Sequence, residues 1–122
     1  MADAIIKEGS RIIQEYVPGR QITLAHIIAS PDSILYEKLG LDPRMDYNQS
    51  AIGITTVTPS EAAIIMADVA IKSSGVILGF VDRFSGSLIV TGTVSQVEEG
   101  LESVRSYFHD RLGYSVCEIT KT

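Results

Sequence analysis

The chain reads as a single α+β domain, and three observations point to that class. Four short apolar, β-rich stretches, Gln21–Ala29, Ala51–Val57, Val76–Val81 and Leu88–Thr91, are bounded by turn residues. Two longer segments, Thr58 to Ser74 and Thr93 to Leu112, open with helix-capping signals. At 122 residues, with 45% apolar side chains, the chain is one domain large enough to bury a core.

Residues 1–10 read as a leader with an apolar pair at Ile5 and Ile6. Arg11 to Val17 is β-like, and Pro18-Gly19 supplies the fixed and permissive backbone of a type II turn. Gln21 to Ala29 places Ile22, Leu24, His26 and Ile28 on one face and Thr23, Ala25 and Ile27 on the other, a pattern suited to an interior strand. Ser30 caps a short helix with Pro31 first, running through Ile34, Leu35 and Leu39 to Gly40. Residues 42–50 form the most polar stretch and read as a surface loop.

A strand over Ala51 to Val57 leads into a helix opened by Thr58, with Pro59 first and Glu61 in capping-box position. That helix is apolar nearly all round, with Asp68 and Lys72 as its late charges, four residues apart on one face. Such a helix needs cover on several sides, and self-association provides it. Two further strands flank a hairpin loop over 82–87. Thr93 and Gln96 then form a capping box, and Val97, Leu101, Val104, Phe108 and Leu112 repeat at helical spacing, with Glu98, Glu102, Arg105 and Arg111 outside. Gly113 stops this helix, and Tyr114 to Ile119 reads as a final strand.

Composition narrows the function. The net charge is −5 with charges interspersed, which argues against nucleic acid and anionic membrane as partners. Mean hydropathy is +0.21, yet no apolar run reaches the roughly 18 residues of a membrane span. Cys117 stands alone, so an intrachain disulfide is impossible and a reducing cytoplasm is favoured. The acidic start of the chain carries no secretory signal.

No catalytic set is visible. His26 sits among apolar neighbours and reads as a satisfied, partly buried imidazole, while His109 beside Asp110 reads as surface. Cys117 reads as a small buried hydrophobe. Nothing brings Glu61 and Asp82 together as an acid/base pair. No metal-ligand spacing, Walker A, G-x-S-x-G or G-x-G-x-x-G pattern is present, so neither metal nor cofactor is expected. The loop Arg83-Phe84-Ser85-Gly86-Ser87 has the makings of an anion cradle, which supports an alternative reading as a small ligand-sensing regulatory domain.

Three segments in order resemble the bacterial microcompartment shell domain: Ala51-Ile52-Gly53-Ile54, Ala67-Asp68-Val69-Ala70-Ile71-Lys72, and Gly79-Phe80-Val81-Asp82-Arg83-Phe84-Ser85-Gly86. The stretch from Arg11 to His26 resembles the opening of its circularly permuted subclass, the ethanolamine-utilisation S and propanediol-utilisation U type. That resemblance implies a permuted domain over residues 21–122, a four-stranded antiparallel sheet flanked by helices. It also implies a homohexamer in the bacterial cytoplasm that tiles with other shell proteins around encapsulated enzymes.

Site roles follow from the same resemblance. Lys72, with Asp68, corresponds to the hexamer edge, and Arg83, Phe84, Ser85, Gly86 and Ser87 to the loop near the central pore. Residues 11–20 correspond to an axial strand and turn, in which Ile12, Ile13, Gln14, Glu15, Tyr16 and Val17 from six copies form a parallel barrel over the pore. Rotational symmetry makes such a barrel physically sensible, because closing it removes every free strand edge.

Overall fold

A computed structural model describes residues 19–48 and 50–122. The leader, the axial strand Ile12 to Val17 and the first residue of the Pro18-Gly19 turn lie outside the described residues. The elements are β1 (Gln21–Ile28), α1 (Ile34–Lys38), β2 (Ala51–Thr58), a 3-10 turn (Ser60–Ala62), α2 (Ala63–Ser73), β3 (Ile77–Asp82), β4 (Ser87–Gly92), α3 (Val94–Asp110) and β5 (Thr120–Lys121). They form one sheet in the order β3-β4-β2-β1-β5, in which the four long strands pair antiparallel and β5 runs parallel to β1.

The expected four-stranded antiparallel sheet is therefore present, with a short fifth strand added at its edge. The final strand is not Tyr114 to Ile119. Only Ser115 bridges to Gln21 there, and regular pairing begins at His26 with Thr120. Tyr114 is instead buried edge-on against Phe108, with centroids 4.9 Å apart, which bends this stretch into an irregular strap.

The main core lies between one sheet face and helices α2 and α3. Val97, Leu101, Val104 and Phe108 from α3 meet Ala63, Met66 and Ala70 from α2 over Ile27, Ala51, Leu88 and Val90. The α3 start is as expected: Thr93 accepts the Gln96 amide at 3.1 Å, and Gln96 returns a carbonyl to the Thr93 amide at 2.9 Å. A smaller cluster of Leu41, Ile52 and Ile89 with Tyr36, Tyr47 and Phe80 covers the other face.

Three local expectations change. A bulge between Ile22 and Leu24 shifts the alternation of β1, so Ile22 is buried with Ala25 and Ile27 while Leu24 turns outward. The short helix is not capped by Ser30: Ser33 is its N-cap residue, without a side-chain cap bond, and the Asp32 carboxylate takes the Ile34 amide at 3.1 Å. Thr58 does not cap a helix, since it pairs with Gln21 as the last residue of β2. Pro59 stays extended at φ −70 and ψ 153, and the helix proper starts at Ala63, with Ala62 in the N-cap position and no side-chain cap.

A second bulge, between Leu78 and Phe80, interrupts the ladder of the edge strand β3. The extra residue is Gly79, where a Cβ would lie 2.8 Å from the Ile89 carbonyl oxygen.

Candidate functional site

Helix α2 turns Ala63, Met66, Ala67 and Ala70 to the core at steps of three, one and three. The opposite side keeps three isoleucines in water: Ile64 is 53% exposed, Ile65 43% and Ile71 44%. Beside it, the free edge strand β3 exposes Ile77 and Leu78. Burying one such side chain is worth about 1.5–3 kcal/mol, so five of them left wet on neighbouring elements are an unfilled contact surface.

Asp68 and Lys72 sit on the same outward side of α2 and form an ion pair at 3.0 Å, with side chains 58% and 74% exposed. The pair adds about 0.3–0.5 kcal/mol to the helix, and its charges remain available to a neighbour.

The 83–87 loop is tightly built. The Asp82 carboxylate accepts the Phe84 amide and the Ser85 hydroxyl, each at 2.9 Å, and Ser85 Oγ lies 3.0 Å from Ser87 Oγ. The Gly86 amide donates to the Asp82 carbonyl at 2.9 Å. The Phe84 amide first, and then the Ser85 hydroxyl, hold the Asp82 carboxyl below its ordinary value. Two donors of the expected anion cradle, the Phe84 amide and the Ser85 hydroxyl, are already taken by the Asp82 carboxylate, and nothing here supports that alternative. Arg83 lies over the Phe84 ring, 4.9 Å from its centroid, and Phe84 is 80% exposed.

The remaining chemical residues have ordinary partners. His26 Nδ1 and Nε2 lie 2.6 and 3.0 Å from the hydroxyls of Thr120 and Thr122. His109 pairs with Asp110 at 2.9 Å on the surface. Cys117 is half-buried outside any strand, and its carbonyl accepts from Arg105 Nε at 2.8 Å. Among the described residues no three His, Cys, Asp or Glu gather to hold a metal ion. No described helix is long and apolar enough to cross a membrane.

Sequence reasoning missed a cavity of about 970 Å³ lined by Ser30, Glu37, Leu41, Met45, Tyr47 and neighbouring residues, with Val94 from α3. Its lining includes the stacked Tyr36 and Tyr47 rings, 4.8 Å apart, whose hydroxyls donate to the Ser50 and Asp42 carbonyls. The two tyrosines, Tyr36 in the short helix and Tyr47 within the polar loop, were the available signal.

The BMC domain profile matches residues 51–120, more than half of the chain. This chain belongs to the bacterial microcompartment shell protein family. The shell protein PduU of Salmonella typhimurium is 51% identical over 112 residues, covering 92% of this chain and 93% of that protein. EutS of Escherichia coli is 48% identical over 112 residues, covering 92% and 96%. A solved CutR flat hexamer superposes with a TM-score of 0.79 at 47% identity, covering 92% of this chain and 99% of that one.

The shell domain here is of the circularly permuted form, with the fold of a permuted shell protein. β1 lies between β2, inside the matched region, and β5, which begins at its last residue, although β1 precedes that region in sequence. The likeness in fold extends to a fused permuted hexameric shell protein, MSM0275, with a TM-score of 0.63 at 19% identity.

Proposed function

We propose that this shell protein closes into a homohexamer and that hexamers tile, with other shell proteins, into the wall of a microcompartment in the bacterial cytoplasm. The observation that carries the reading is the uncovered apolar surface of α2 and β3. Its mechanism is geometric, with no catalysis and no cofactor. The apolar helix and strand edge join subunits, the Asp68–Lys72 pair lies where one ring meets the next, and the Arg83–Ser87 loop approaches the axis. Residues 12–17, outside the described residues, close the axis as a six-stranded parallel barrel, and encapsulated enzymes lie within the wall. The solved flat hexamer of CutR supports the number six.

Mass measurement in solution, combined with electron microscopy of concentrated protein, tests the reading. Rings with the mass of six subunits that pack into sheets are expected. A stable monomer that never forms rings would sink it.

A further inference from the structure

The cavity of about 970 Å³ lies at the end of the sheet where β1 leaves through Ala29, β2 arrives from Ser50 and Val94 opens α3, all three of them in its lining. The 83–87 turn joins β3 and β4 at the opposite end, roughly 20 Å away along the strands. The volume falls at the top of the roughly 300–1,000 Å³ range of small-molecule sites. One wall is fixed in place. Tyr36 and Tyr47 stack with their planes 6° apart, and both hydroxyls are tied to backbone carbonyls, so what they offer a ligand is ring surface rather than a proton. Leu41 and Met45 add apolar surface, and Met45 is 37% exposed.

Among the described residues of the lining only Glu37 carries a charge. No described ion pair or hydrogen bond engages its carboxylate, and Lys38, the next residue of α1, is not in the lining. Arg44, the basic residue of the following loop, is spent on Asp42, to whose carboxylate it donates Nε at 3.0 Å and Nη2 at 2.9 Å. A carboxylate beside apolar walls attracts a cation more strongly than one in open water, because the low-dielectric wall focuses its field. Tyrosine rings favour cations as well. An anion finds no basic side chain in the lining, and a bare metal ion asks for several oxygen ligands where this cavity has one carboxylate.

We propose that this cavity binds a small organic cation: a charged nitrogen received by Glu37 and carried on a compact apolar or aromatic body that packs against Tyr36, Tyr47 and Met45. Every group the site needs comes from residues 29–50 and Val94 of one chain, so a single subunit binds by itself.

The test titrates benzyltrimethylammonium into the full chain by calorimetry at low ionic strength, with benzyl alcohol and benzenesulfonate as its neutral and anionic counterparts. One saturable site per subunit is expected for the cation, with both counterparts weaker by at least about fivefold. Glu37→Gln should bring the cation down to the level of the alcohol, and Glu37→Lys should turn the preference to benzenesulfonate. Glu37 is exposed, so both variants should keep thermal midpoints near that of the parent. Absence of saturable cation binding, or binding that Glu37→Gln leaves unchanged, would overturn the inference, as would equal affinity for benzyl alcohol. Solution mass of the same samples separates this site from the ring reading: rings that bind no cation sink the site alone, and a monomer that binds it upholds the site while the ring reading falls.

Discussion

Gly86 accepts the Val57 amide at 2.9 Å, which fastens the turn carrying Phe84 to the end of β2. Gly86 has φ +78, and a Cβ there would run into the carbonyl oxygen of the same Val57 and approach Ser60 Cα at 3.1 Å. The loop assigned to the axis is therefore welded to the corner from which α2 departs.

Gly86→Ala should destabilise the fold by at least about 2 kcal/mol, because left-handed strain adds to a clash with backbone that cannot rotate away. A loss of unfolding free energy in urea of less than a quarter of this would show that the corner can yield.

Lys72→Ala should leave folding stability within about 0.5 kcal/mol of the parent, since it removes only one exposed helix pair. Rings are expected to persist while sheets of rings fail in electron microscopy. If the rings themselves fell apart, Lys72 would belong to the boundary between subunits instead.

Asp82 gives the fold an acid limb. Its carboxyl titrates below the ordinary 3.8, so the charged form is favoured on folding. That contribution is complete above the ordinary value and fades as pH drops through the lowered one. Asp82→Asn should therefore be less stable than the parent at neutral pH, with the gap narrowing in denaturation measured below about pH 4. A gap independent of pH would assign the cost to the lost acceptor geometry alone.

What the sequence discloses depends on how local the cause is. The start of α3 was legible because Thr93 and Gln96 settle it between themselves, and its apolar spacing needs only one neighbouring layer. Thr58 carried equally good cap chemistry, yet pairing with Gln21, 37 positions away, held it in β2. The same distant pairing places the bulge in β1 and sends Leu24 outward, which strict alternation could not foresee. At the site, Asp68 and Lys72 were legible as a helix pair and Arg83 to Ser87 as a turn. That Asp82 fills its own turn depends on the hairpin closing, and the grip of Tyr114 on Arg20 spans nearly the whole sequence.

The bulge at Gly79 bears on how a subunit survives before it finds its ring. A straight apolar edge would offer every newly made chain the same continuous template, and strands could add without end. In β3 the hydrogen-bonding phase changes between Leu78 and Phe80, so a stray strand docking on one half is out of step with the other. The irregularity works as a gatekeeper: it keeps the exposed edge available for a shape-matched neighbour while capping the runaway growth that would turn a shell precursor into a fibre.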